Sequence, residues 1–259
     1  MNWYIFKKCF KTKFLGFKFV ILPIILILLL IVVWGWLGLP KQFLINSAGI
    51  LITTFVGAWA GGLAAFKEER KTKELNRRTE QVCAANKAIF NVAMIGNAFH
   101  NLDQQYIHKN GVFDNSNRAL IMDSPSYGMM KNIEFNVDEL SFFLDQSGEI
   151  GPMVLMELMI FEWLYQNLRQ AVNLRAEAYE DLHVAIQTGG ILDIDFEYIK
   201  AHYKPQYAKL EEMTNQMIEL VPKGIDDSNK VNQKLQEALR LQFPEQSFLQ
   251  IKFPEQISN

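Results

Sequence analysis

The chain has little of what small catalytic or disulfide-built proteins are made from. Among its 259 residues are 2 cysteines, 4 histidines and 8 prolines. Cys9 and Cys83 are too few and too far apart for a disulfide framework or a zinc knuckle. None of His100, His108, His183 and His202 pairs with another at i, i+4, and no HExxH is present. His183 follows Glu180 and Asp181, a spacing with no specificity for a metal. The phosphate-cradling GxxxxGK[ST], the dinucleotide fingerprint GxGxxG and the nucleophile elbow GxSxG are all missing. No catalytic, cofactor-binding or metal-ligating residue can be assigned, and the chain is expected to be non-enzymatic and to use no cofactor. Glu177, Glu180 and Asp181 are expected to face solvent, and Arg169, Arg175 and Glu177 to make ordinary helix-surface pairs. Cys83 reads as a packing residue rather than a nucleophile.

Charge is missing from two long stretches. Residues 19–40 hold none, and neither do residues 42–66. Each is long enough as a helix to cross about 30 Å of hydrocarbon. A cleaved signal peptide fits poorly, because the first apolar run is too long and no small-x-small site follows it. Pro23 falls in the first turns of that run, where a missing backbone donor costs least. Only Pro40, Lys41 and Gln42 lie at the junction, so the two runs predict a tight transmembrane hairpin with Trp34, Trp36 and Lys41 at the headgroup level of its tip. Neither run carries an ionisable side chain, which excludes a proton relay within them.

The mean hydropathy is close to zero, yet it averages two unlike parts. The formal charge of −2 hides a basic front and an acidic back. Lys7, Lys8, Lys11, Lys13 and Lys18 precede the first run, and Lys67, Arg70, Lys71, Lys73, Arg77 and Arg78 follow the second. This bias predicts a multi-pass protein with both termini cytoplasmic. The juxtamembrane cluster is suited to anionic lipid headgroups, a cheaper explanation at that position than nucleic acid. Along the second run Gly49, Thr53, Gly57 and Gly61 recur every four residues, with Ala65 next. That line makes a smooth face on which a helix, either the first span or another subunit, can approach closely.

The remainder reads as all-α: the hairpin is followed by a cytoplasmic antiparallel helical bundle with a short extended C-terminal segment. The chain divides into a basic N-terminus at 1–18, the hairpin at 19–66, a juxtamembrane helix at 67–106, a loop at 107–132, a helical domain at 133–241 and a tail at 242–259. With 19 Phe and 5 Trp, the chain is not expected to be disordered. In the juxtamembrane helix, Leu75, Val82, Ile89 and Gly96 form a packing stripe with Cys83, Phe90 and Ala93 alongside. The loop is long enough to hold a short element. A short helix is expected over 137–145, buried through Leu140, Phe143 and Leu144. A long core helix follows Gly148 and Pro152 to about Gln187, and Gly189-Gly190 ends it. The next helix begins at Asp193 or Asp195 as cap, bends or breaks at Pro205, carries Phe196, Ile199, Tyr203, Leu210, Met217 and Leu220 on one stripe, and stops at Val221-Pro222. Asp226-Asp227-Ser228 precede a last helix to about Leu241. Phe243-Pro244-Glu245-Gln246 recurs as Phe253-Pro254-Glu255-Gln256, and SFLQIKF between them alternates enough for a short strand or an extended tail.

The hairpin at 19–66, Gly57-x-x-x-Gly61, the basic run after Phe66 and the segment VDELSFFL at 137–144 together resemble small bacterial two-span inner-membrane proteins with a helical cytoplasmic domain. Some of these are anti-phage defence effectors, associated with retrons or with RNA-targeting CRISPR systems. The resemblance implies a homo-oligomer that perturbs the bacterial inner membrane when infection releases it. It implies no RNase activity, since the Arg-x4–6-His motif of helical RNases is missing. The leading expectation is therefore a pore-forming or membrane-perturbing homo-oligomer. The alternative is a membrane-tethered scaffold or sensor that binds a cytoplasmic protein through its acidic bundle and the 107–132 loop.

Overall fold

The computed structural model describes residues 29, 32–33, 35–36, 41–108, 116–126, 128–146, 149–189, 195–251 and 253. They belong to two units, Met1–Leu75 and Asn76–Asn259, and every regular element among them is helical. The basic segment 1–18 lies outside the described residues. Of the first apolar run only Leu29, Val32, Val33, Gly35 and Trp36 are described, all helical and exposed; the rest of it lies outside.

In the first unit, helix α1 (Lys41–Leu102) starts at the second apolar run and takes in the whole basic cluster without a break. No charge, Pro or capping signal interrupts the run, so the first junction a helix could respect is absent. Thr53 and Thr54 are weak helix formers, but each turns its hydroxyl back onto the helix. Thr53 Oγ1 donates to Gly49 O at 2.8 Å, and Thr54 Oγ1 donates to Ile50 O at 2.8 Å. Their polar groups are thereby satisfied without water.

The second unit is built on three long helices. The C-terminal part of α1 buries Ala85, Ala88, Ile89, Val92, Ile95 and Phe99. Beside it run α4 (Ile150–Thr188) and α6 (Lys204–Gln242), each 39 residues long. Side-chain pairs fix the directions. Arg175 meets Thr214 at 3.0 Å, Asp181 meets Lys209 at 3.6 Å, and Glu157 binds Lys234, so α4 and α6 are antiparallel. Phe99 abuts Gly224 and Arg78 binds Glu245, so α1 is antiparallel to α6 as well. α1 and α4 consequently run the same way. Short links cannot join two such helices, and the chain between them must return the length of the bundle.

It returns mostly unwound. A π-turn (Asp103–Ile107) ends α1, a one-turn helix α2 (Arg118–Ile121) sits inside the expected loop, and residues 128–136 form no regular element. Gly128 opens that stretch at φ +72°, where an L side chain would cost about 1–2 kcal/mol. The bundle is thus up-down-up-down, with an irregular segment in place of its second helix. A segment without regular structure cannot satisfy its own backbone. Its partners come from one face of α4: Phe135 N–H donates to Glu162 at 2.8 Å, Gln166 donates to Ile133 O at 2.9 Å, Tyr165 to Lys131 O at 2.7 Å, Arg169 to Met130 O at 3.3 Å, and Gly128 N–H donates to Asn173 at 3.0 Å. From α1, Asn91 donates to Glu134 O at 3.0 Å.

Several expectations are corrected by this packing. The segment 137–141 is a turn, and only Phe142–Gln146 (α3) is helical, with Leu144 exposed while Phe142 is buried. Cys83 and Phe90 lie outside the α1 stripe and are exposed, as is Leu75. α6 does not stop at Val221-Pro222. Pro222 lies inside it, and Asp226-Asp227-Ser228 cap nothing. A proline in a helix interior costs about 3 kcal/mol, but here both sides of it are anchored. Val221 and Ile225 are buried, and Gly224 is pressed so closely on the Phe99 ring that a Cβ there would clash with it. Ser228 donates to Gly224 O at 2.6 Å. The break expected near Pro205 is real: α5 (Phe196–His202), capped by Asp195 accepting from Tyr198 N–H at 2.6 Å, ends at a non-helical Tyr203. Phe196 is exposed rather than on the buried stripe.

No strand occurs among the described residues of the tail. The duplicated Phe-Pro-Glu-Gln nonetheless has a structural use, since Phe243 and Phe253 are both buried. Phe243 sits 5.8 Å from the Phe142 ring, Asn232 holds Ile251 O at 2.8 Å, and Phe253 lies on Gly96.

Candidate functional site

Three places in the described structure have chemistry that packing alone does not explain. The first is the apolar part of α1. Among the described residues this is the one helix long and apolar enough to cross a membrane, and none of them covers its apolar window. Ile50, Leu51, Ile52, Phe55, Val56, Trp59, Leu63 and Phe66 are all exposed. The expected packing face of Gly49, Thr53, Gly57, Gly61 and Ala65 lies on this helix. Among the described residues no heavy atom comes within 4 Å of where a Cβ would stand at Gly49, Gly57 or Gly61. The basic cluster that follows is exposed throughout, with Lys67, Arg70 and Lys71 in the first unit. Lys73 bonds Glu69 one turn earlier at 2.6 Å, and holds that carboxyl below the usual range. Arg78 is engaged with Glu245.

The second is Arg175, expected on the surface and found fully buried. Its Nε donates to Thr214 Oγ1 at 3.0 Å and Nη1 to Asp123 O at 3.1 Å. Its Nη2 donates to Ala119 O at 3.2 Å and Met122 O at 2.6 Å. The last two carbonyls close the end of α2, where a helix has no internal donors left to offer. Burial pulls the guanidinium down to about 10, and it remains charged at neutral pH. Its place is structural: it ties the described part of the 107–132 loop to α4 and α6. The α4 sequence gives no sign of this, because Arg175 looks the same as any helix-surface arginine until the loop is laid over it.

The third is an exposed apolar stripe on α4. The run from Met153 to Leu168 reads from sequence as a buried core helix. Its inner face is core, with Val154, Leu158, Phe161 and Leu164 buried, but Met153, Met156, Met159, Ile160 and Trp163 are half or more exposed. The sequence signal that points to this face is an apolar run covering more of the helix circumference than the bundle buries.

The histidines do not converge. His108 meets Asp103 at 2.8 Å, His183 meets Gln187 at 2.8 Å, and His202 stacks on Tyr198 at 3.8 Å. Among the described residues no group of three or more His, Cys, Asp or Glu side chains is placed to hold a metal. Exposed Cys83 borders a cleft of about 560 Å³ with Arg77, Glu80, Asp138 and Phe142, across which Lys87 and Glu139 pair at 3.1 Å.

His100 is 8% exposed, stacks on Phe253 and leaves Nε2 with no hydrogen-bond partner among the described residues. Burial lowers its pKa below the ordinary 6.5, against a smaller opposing pull from Asp103. The folded state therefore binds this proton less readily than the unfolded one, and stability is lost as pH falls below about 6.5 toward the depressed value. A His100→Phe variant should show a shallower loss of thermal midpoint between pH 7 and pH 5 than the wild type. Identical slopes would mean that His100 carries none of the acid sensitivity.

Comparison with protein-family models, curated proteins and solved structures finds no match to this chain.

Proposed function

We propose that the chain is a non-enzymatic, homo-oligomeric protein of the bacterial inner membrane that forms a pore or otherwise perturbs the bilayer, as an anti-phage effector would. Two spans over 19–66 anchor it, both termini are cytoplasmic, and the basic cluster from Lys67 to Arg78 meets anionic headgroups. The observation that carries this reading is the exposed apolar window in α1. Burying a surface of that kind in water-free surroundings is its natural resolution, and lipid provides them. The inward-turned hydroxyls of Thr53 and Thr54 agree with it. The open line at Gly49, Gly57 and Gly61 is a place where a second transmembrane helix could approach. The tethered-scaffold alternative draws less support, because the described part of its proposed recruiting loop is bound inward by Arg175.

The test is to extract the full chain into native nanodiscs, count its copies, and follow membrane potential while its expression is induced in cells. Two or more copies per disc and a collapse of potential are expected. A strict monomer would end the oligomer and pore readings together. An unchanged potential with oligomers present would end only the membrane-perturbing reading.

A further inference from the structure

We infer that the exposed apolar stripe of α4, centred on Met156, Ile160 and Trp163, is a contact surface for the same stripe on a second copy of this chain. This deepens, and rests on, the homo-oligomeric reading above, and assigns it a surface outside the membrane segment.

Three kinds of occupant compete for such a face, and its borders separate them. A lipid surface is met by an apolar stripe flanked with lysine and arginine. No exposed position of α4 from 152 to 170 carries a charge, and Arg169 at the margin is spent on Met130 O and Asn132. A basic amphipathic helix from another protein is selected by carboxylates beside the groove. The two carboxylates beside this stripe are already used, Glu157 by Lys234 and Glu162 by Phe135 N–H. That leaves an uncharged, self-complementary strip. The body around it is acidic, so copies repel one another elsewhere, but two stripes meeting face to face place no like charges in contact.

Size agrees with a second copy held in a membrane. Five side chains half or more exposed make a patch on the order of 500 Å², at the upper end for a monomer's surface. A stable free dimer buries about 800 Å² per partner. The stripe alone is thus too small to join copies from dilute solution. Anchoring both in one bilayer raises their effective concentration to about millimolar, where a weak contact suffices. Trp163 is the residue type that dominates such contacts, and methionines adapt their shape around it. A two-fold contact brings each residue near the axis against its own copy.

The experiment uses the full chain in native membranes with Cys9→Ser and Cys83→Ser. Single cysteines are added at Met156, Ile160 or Trp163 on the stripe, or at Glu180, exposed farther along α4, as control. Mild copper-phenanthroline oxidation should give disulfide dimers from at least one stripe position and none from Glu180→Cys. Adding Ile160→Lys to the Met156 or Trp163 cysteine should cut that dimer about tenfold by placing like charges across the centre of the contact, with helicity by circular dichroism unchanged. Copy number per nanodisc is counted in parallel. Several copies with no stripe cross-link, or a cross-link that Ile160→Lys leaves intact, would overturn the inference and spare the oligomer. Cross-linking to a different protein would also overturn it. A single copy per disc would overturn both.

Discussion

Replacing Arg175 with methionine is expected to lower the thermal midpoint of the helical body by roughly 5–15 °C. Methionine fills much of the same volume, but it offers no donor to the carbonyls of Ala119, Met122 and Asp123 or to Thr214 Oγ1. Stranding buried acceptors costs about 1–3 kcal/mol each at most, and partial relaxation of the loop brings the total to about 2–4 kcal/mol. Lysine should recover little of the loss, since one ammonium cannot span acceptors that the planar guanidinium reaches on two sides. Hydrogen exchange locates the effect. Amides of residues 118–123 should lose protection in Arg175→Met, while those near Ile89 and Val92 keep it. A midpoint unchanged within about 1 °C would show that the buried guanidinium holds nothing in place.

The second large effect concerns topology. Ile52 and Val56 are exposed on the apolar part of α1, so arginine at both positions disturbs no packed core. Each arginine near a bilayer centre costs about 2.5–3.5 kcal/mol on insertion scales, and the pair is enough to expel the segment. In the proposed two-pass arrangement the first span would still cross, and the body would then be carried to the opposite side. A C-terminal alkaline phosphatase fusion reads this directly. It should be inactive on the wild type and active on Ile52→Arg/Val56→Arg. Activity on the wild type would contradict the cytoplasmic placement of the body.

How much was legible beforehand follows from which forces are local. The uncharged run 42–66 and the α4 repeat of apolar residues are local patterns, and both appear as helix where expected. Asp195 as a cap and the break before Pro205 are local too. Pro222 misled because a proline's cost is local, whereas the contacts that outweigh it, such as Gly224 on Phe99, join residues far apart in the chain. Residues 128–136 were not recognisable as a bundle element, since their backbone partners are the side chains of Glu162, Tyr165, Gln166, Arg169 and Asn173. Those five look like an ordinary polar helix face until residues 128–136 lie along it. Arg175 was hidden for the same reason. The stripe of Met153, Met156 and Trp163 was visible as apolar, but only the finished bundle shows that it is left uncovered.

The proposed membrane role requires the apolar part of α1 to lie in lipid, and one labelling experiment tests that most directly. In a Cys9→Ser/Cys83→Ser background, single cysteines are placed at Val56 and at Asn86, both exposed in the protein. Opened native membranes are then treated with a charged maleimide that reaches both aqueous sides but not hydrocarbon. Among the described residues Val56 is exposed, so in a membrane-embedded α1 it is lipid, or a neighbouring span within it, that keeps the reagent away. Rapid labelling at Asn86→Cys with none at Val56→Cys until detergent is added is the predicted result. Equal labelling of the two without detergent would contradict it.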